Sequence, residues 1–380
     1  MIISGNRFLK WSPPSLGTDI PNWFKSNVDR MRKDYYSDLD QLTAARLSDV
    51  LPASLNFNID FITGINNLFA CLDSMNVEMK NNVPIRDEVT LIAAGSFARG
   101  NFIEGSDLDL YYLISGSERS REYLRMIKDI FEMANLRFDS DITPAYTAQD
   151  MQNSMKLNDD WHQNSVSPNN EITMDDVERF YMTDPFCLEG KIFGTFDASI
   201  IAGRIDRFTQ FRKLCMKHNY EFRDELNRRT IGALKNNERS ELNPMNFDIK
   251  NDRGLIFYFH SVIRMLQLLG FNQLNYFGPG FRHILFSLEK ANVISKNDNM
   301  FLRDVISFYL LVRYGIVQAS IKYNKHPTSY DTRFYPEFSD DICARLRISK
   351  DELADRLQDY SARLIRFSHM IEEKHFSVYL

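Results

Sequence analysis

The chain has 380 residues, 44% of them hydrophobic and 26% charged, a balance that excludes an intrinsically disordered or fibrous chain. A net charge of −5 and an isoelectric point near 5.9 argue against broad, nonspecific nucleic-acid binding. The aromatic share of 13%, with 29 Phe, points to well-filled helical cores in a chain long enough for more than one domain.

Residues 1–84 read as an N-terminal helical segment. Asp19 to Leu51 carries helical spacing, and Pro52-Ala53-Ser54 breaks it, with Ser54 as cap of a helix over Leu55–Met79. In that helix Phe57, Phe61, Ile65, Leu68, Leu72 and Met75 recur every three or four residues, a stripe that must pack on something. Residues 85–183 form the predicted core, with strands at Glu88–Ala94, Leu108–Ile114 and Leu136–Ile142 and a helix at Glu118–Asn135. Within it, residues 145–183 are rich in Asn, Gln, Ser and Asp and read as an irregular polar insertion. Residues 184–380 read as helical, over Pro185–Phe193, Ala198–Asn236, Asp252–Leu269, Gly280–Ala291, Asp298–Lys325 and Lys350–Glu373, with a loop around Pro327 and Pro336. The predicted class is α+β: a small mixed sheet with an N-terminal helical segment and a larger C-terminal helical domain.

The apolar runs Leu255–Phe271 and Val305–Ile321 are broken by His260 and Arg264 and by Arg313, so they read as buried helices rather than membrane spans. Cys71, Cys187, Cys215 and Cys343 show no metal-binding spacing and read as small buried residues in a reducing compartment. No charged-then-apolar leader opens the sequence, and the expected setting is the cytoplasm of a bacterium, or a host cytosol if the protein is delivered there.

The chemistry concentrates in Ala94-Gly95-Ser96-Phe97-Ala98-Arg99-Gly100 and Gly105-Ser106-Asp107-Leu108-Asp109-Leu110. The Gly-Ser turn follows an apolar strand and offers free N–H groups suited to a phosphate, and Gly95 allows the close approach a Cβ would block. Asp107 and Asp109 alternate along a strand, so they share a face about 7 Å apart and repel unless a cation lies between them. Hard oxygen donors favour Mg²⁺ or Mn²⁺. Ser96 offers a hydroxyl and an N–H to a nucleoside triphosphate. Arg99 reaches the phosphates or the acceptor, or is a solvated helix Arg with an apolar stem. Ser106 steers Asp107 or is an ordinary turn Ser.

The pairing resembles the signature of the DNA polymerase β-type nucleotidyltransferase superfamily. Within it, the run is similar to bacterial uridylyltransferases that modify the PII protein and to glutamine-synthetase adenylyltransferases. Cys187–Gly194 resembles a further segment of that group, and Asn246–Leu255 resembles its Asn-Ile-Lys-Glu-Gly-x-Gly-Gly-Leu-Arg-Asp element, with Phe257-Tyr258 where the relatives carry Arg-Asp. No hydrolase motif or regulatory module of those enzymes follows. The resemblance implies a third carboxylate that activates the acceptor hydroxyl and shares the metal, and two ions about 4 Å apart. Asp139 is the candidate, counted back from Pro144, with Asp141 second; both can instead be a solvated strand end. Lys250, on a flexible stem, suits a triphosphate; Lys250 and Arg253 can equally be a solvated loop.

The expected activity is Mg²⁺-dependent transfer of a nucleoside monophosphate from a nucleoside triphosphate to a hydroxyl, with a protein as acceptor by resemblance. The alternatives are RNA terminal transfer or second-messenger synthesis, and a non-catalytic nucleotide-binding protein. Base preference and oligomeric state stay open at the level of sequence.

Overall fold

The computed structural model describes residues 19–78, 83–93, 95–100, 102, 110–115, 117–134, 136, 145–147, 198–209, 223–238, 247–250, 254–270, 280–323 and 333–379. It divides into two compact units that interleave along the chain. Unit 1 takes residues 1–36, 55–98 and 107–218; unit 2 takes residues 37–54, 99–106 and 219–380.

Unit 1 holds the sheet. Its strands are β1 (Val89–Ala93), β2 (Leu110–Ile114), β3 (Ala145–Thr147) and β4 (Ser199–Ala202), in the order β3-β2-β1-β4. β1 lies antiparallel to both β2 and β4, whereas β2 and β3 run parallel, so the sheet is mixed. Every residue of β1 is buried, Thr90 included, which suits an interior strand covered on both faces. The helices around it are α1 (Ile20–Asp40), α2 (Val50–Glu78), the short α3 (Ile85–Glu88) and α4 (Gly95–Ala98), and α5 (Glu118–Met133). Ser117 caps α5 by accepting the Ser120 N–H at 3.0 Å. The apolar stripe expected on α2 is real: Phe57, Phe61, Ile65, Leu68 and Leu72 are all buried. Ring stacking joins Phe24 of α1 to Phe131 of α5 at 5.5 Å and Tyr35 of α1 to Phe57 of α2 at 4.5 Å.

Unit 2 is helical among its described residues. It contains α6 (Arg223–Asn237), α7 (Leu255–Leu269), α8 (Phe281–Lys290), α9 (Lys296–Lys322), α10 (Ser339–Leu346) and α11 (Lys350–His375). α9 is its axle: every residue from Val305 to Val317 is buried, so this helix is apolar all round except at Ser307 and Arg313. α7 and α8 pack on α9, and α6 packs on α7. A capping box at Ser295 and Asp298 fixes the start of α9.

The structure is α+β, as expected, and it corrects several element boundaries. α2 begins at Val50, not at Leu55. Pro52 falls in the first turn, where its missing N–H has no intrahelical partner to lose, and Ser54 is an interior buried residue rather than a cap. The expected helix from Ala198 begins instead as a strand. Ser-Ile-Ile-Ala pairs with β1, and Gly203, at φ +100°, turns the chain away. A Cβ on Gly203 would lie 2.6 Å from the Thr90 Cα, so this close approach requires glycine. Of the strand expected at Leu136–Ile142, Leu136 is not in a strand and the rest lies outside the described residues. The strand beside β2 is β3, at the start of the stretch read as irregular. α10 forms where a loop was expected.

Candidate functional site

In unit 1 the site begins with the turn after β1. Gly95 has φ +59° and Gly100 φ +69°, conformations that favour glycine and reverse the chain around the short α4. The turn is anchored by Phe97, which is wholly buried against Phe57 at 6.5 Å and Phe61 at 4.9 Å between ring centroids. The buried Asn58 amide of α2 donates to the Phe97 carbonyl at 2.6 Å. The stripe of α2 therefore serves as the platform for the Gly95-Ser96 turn, and Ser96 itself is buried.

The register then decides what lies beside the turn. Ala93 pairs with Leu110, so the end of β1 that runs into Gly95 and the start of β2 that follows Asp109 share one sheet edge. β3 runs parallel to β2, and Ser199 of β4 pairs with Ala93, so the N-terminal ends of three strands face the edge where β1 ends. Asp107, Asp109, Ser106, Asp139, Asp141 and Arg253 themselves lie outside the described residues, as does the Cys187–Gly194 segment. Among the described residues there is no group of three His, Cys, Asp or Glu able to hold a metal.

At the base of the sheet Glu88 accepts hydrogen bonds from Ser115 and from Ser117, the latter at 2.6 Å. Burial pushes its carboxyl up, but those two hydroxyls and the charges of Arg119 and Arg207 outweigh burial and hold it below the usual carboxylate range. This arrangement fixes the far end of the β1–β2 pair, away from the candidate edge.

In unit 2 the other candidates gather. Lys250 lies on a turn in which its N–H donates to Asp248 Oδ1 at 2.8 Å, and the Ile256 N–H donates to the Ile249 carbonyl at 2.8 Å, tying that turn to the first turn of α7. Phe247 stacks on Phe334 at 5.1 Å and accepts the Phe334 N–H, which holds the turn from the other side. The Arg99 carbonyl accepts the Phe281 N–H at 2.7 Å, at the start of α8, where Gly280 takes φ +87°. The Phe281 ring lies 5.6 Å from the His260 ring. Burial first, and then the positive charges of Arg99, Arg264, Arg313 and Lys250, hold the His260 imidazole well below its usual range, so the ring is neutral at pH 7.

The structure thus brings Arg99 and Lys250 together within unit 2, along with His260 and Arg264. Arg313 was missed as a site residue, although a lone cation in an apolar helical run was its signal. Phe257-Tyr258, at the Arg-Asp position of the resembling element, does structural work. Tyr258 is buried and its hydroxyl lies 2.6 Å from Ser368 Oγ. Ser368 donates to the Ile365 carbonyl, so the tyrosine is the donor of this pair.

No described helix is long and apolar enough to cross a membrane. No curated protein matches the chain significantly. Residues 75–145, which run from the end of α2 through the Gly-Ser turn and β2 to the first residue of β3, match the family model of the nucleotidyltransferase domain.

Proposed function

We propose that this protein is a metal-dependent nucleotidyltransferase that moves a nucleoside monophosphate from a nucleoside triphosphate to an acceptor hydroxyl on a protein, in a cytoplasmic setting. The observation that carries the reading is the pairing of Ala93 with Leu110, which puts the Gly95-Ser96 turn and the chain leaving Asp109 at one sheet edge inside the matched family region. The acceptor oxygen attacks the α-phosphorus, the bond to the bridging oxygen of pyrophosphate breaks, and the hydroxyl proton passes to Asp139. The Gly95-Ser96 turn holds phosphate oxygens. Asp107, Asp109 and Asp139 supply only carboxylate oxygens, a donor set that suits Mg²⁺ or Mn²⁺. The chemistry a bound ion pair supplies is neutralisation of charge on the reacting phosphate and the leaving group.

The test is incubation of the purified protein with each α-³²P-labelled triphosphate and Mg²⁺ in a cell lysate, beside an Asp107→Ala/Asp109→Ala variant. Label on a protein fraction that requires both carboxylates supports the reading. Carboxylate-dependent label on RNA or on a small nucleotide replaces the acceptor with one of those. No label with any triphosphate, with Mg²⁺ or Mn²⁺, overturns the enzymatic reading.

A further inference from the structure

One spacing recurs on two helices of unit 2. Asn297, Met300, Phe301 and Asp304 stand at i, i+3, i+4 and i+7 and share a face of α9. Arg363, Arg366, Phe367 and Met370 stand at the same intervals on α11. The two helices run antiparallel, since Phe308 meets Tyr360 at 5.4 Å between ring centroids and Phe301 meets Phe367 at 6.4 Å. At the second pair, near the start of α9, lies a groove of about 340 Å³ open to solvent. It is lined by Asn297, Asp298, Phe301, Arg363, Arg366 and Phe367.

The floor is apolar and the rim is cationic. Phe367 is buried and Phe301 half-buried. The Arg363 guanidinium lies 4.4 Å from the centroid of the Phe301 ring, and its Nη1 lies 3.3 Å from Asp359 Oδ2. Asp304 lies beside Arg363 as well. Asp298 is committed to the cap of α9, where its Oδ2 accepts from the Ser295 N–H at 2.9 Å and from the Ser295 hydroxyl at 2.6 Å. Arg366 is exposed and has no hydrogen bond or ion pair among the described residues. In a chain of net charge −5 this rim therefore carries a cation with no acid in reach. The apolar surface runs on past the groove, for Met300 is 56% and Met370 52% exposed. Single exposed apolar residues are ordinary, but these two extend the stripes that meet at the groove. Phe, Met and Arg together are the side chains that protein interfaces concentrate, and Met adapts its shape to what it meets. An occupant that satisfies this surface is anionic, carries an apolar side chain and is longer than the cavity, as a peptide segment is.

We propose that the groove between α9 and α11 docks an acidic segment of a partner protein. One apolar side chain of that segment seats against Phe301 and Phe367, a carboxylate is held by the guanidinium fork of Arg366, and Met300 and Met370 pack against its flanks. The identification of this partner with the acceptor of the nucleotidyl group rests on the nucleotidyl-transfer reading; the docking groove itself does not.

The test is selection of a phage-displayed random peptide library on the full wild-type chain, with counter-selection on Arg366→Glu. Sequences that set Asp or Glu beside an apolar residue should emerge. A fluorescein-labelled synthetic peptide of the most enriched sequence should bind the wild type by anisotropy and weaken with added salt. Arg366→Glu should bind it about tenfold more weakly, the order expected for a lost charge-assisted bond, and Arg366→Lys should recover part of the affinity. Asn297→Trp, which fills the groove without changing its charge, should weaken the same peptide. All three substitutions are at exposed positions, and unchanged thermal midpoints confirm that the variants fold. No enriched sequence, a basic one, or peptide binding that Arg366→Glu leaves intact overturns the proposal. So does Arg366-dependent binding of an RNA oligomer, or Arg366-dependent self-association of the chain, with no acidic peptide selected. The label-transfer assay separates the two claims: label on protein without an acidic selection sinks the docking groove alone, and acidic peptides without transfer sink the enzymatic reading alone. Where both hold and the partner is the acceptor, Arg366→Glu loses label on the protein fraction, whereas Asp107→Ala/Asp109→Ala loses it with peptide binding intact.

Discussion

Asn58 puts a polar amide among aromatic rings, wholly buried on α2 between Phe57 and the neighbourhood of Phe61 and Phe97. Its Nδ2 donates to the Phe97 carbonyl, and that bond fixes the exit of the Gly95-Ser96 turn. Truncation leaves a carbonyl without its donor inside the core, which costs about 1–3 kcal/mol, more than the net worth of an ordinary hydrogen bond. Asn58→Ala should therefore unfold at lower urea and raise the apparent KM for the triphosphate. An unchanged urea midpoint would show that the amide is not what holds the turn. Asn58 was invisible to sequence reading because an asparagine in a helical stripe looks like a solvated position. Its partner is a backbone carbonyl far along the chain, and no side-chain pattern announces one. Gly95 was legible for the opposite reason: its left-handed backbone demands a residue type that the sequence prints.

At the scale of elements, α1 and α2 pack through rings but also oppose two carboxylates. Burial, and then the charge of Asp34, raise the Asp60 carboxyl to about 6. The folded state thus binds a proton that the unfolded chain releases near 3.8, so stability falls as pH rises between those values and is flat above them. Asp60→Asn should stabilise the protein at pH 7.5, and the gain should fade on acidification toward pH 4. Urea midpoints at pH 7.5 and 5 measure this, and a gain equal at both pH values would show that ionisation of the half-buried Asp60 carboxyl is not its source. Elements that carry their own signal were readable: one apolar face sets α5 and α11, and a long apolar run sets α7. β4 was not. Four residues are too few to show alternation, and what makes them a strand is the open edge of β1, a partner supplied by tertiary structure.

At the scale of the whole molecule, the sheet edge at Gly95 and Leu110 was foreseeable because motif and strand adjoin in sequence. The gathering of Arg99, Lys250, His260, Arg264 and Arg313 was not, since only the packing of α7, α8 and α9 collects them. The pairing of Ser199 with Ala93 has a further consequence, which concerns how the chain comes off the ribosome. β1 and β2 can zip together early, but the other side of β1 waits for a strand made long afterwards. Until then β1, four of whose five residues are apolar, presents a row of unpaired N–H and C=O groups, the template on which nascent chains stick to one another. A chain cut after residue 183 keeps the whole region matched to the nucleotidyltransferase domain, yet it should aggregate on expression. A chain cut after residue 218 should stay in solution more readily, and equal solubility of the two would show that β4 is not the shield. Translation speed across the stretch between β3 and β4 then sets how long that edge stays bare, so synonymous codons there would alter yield without touching a single side chain.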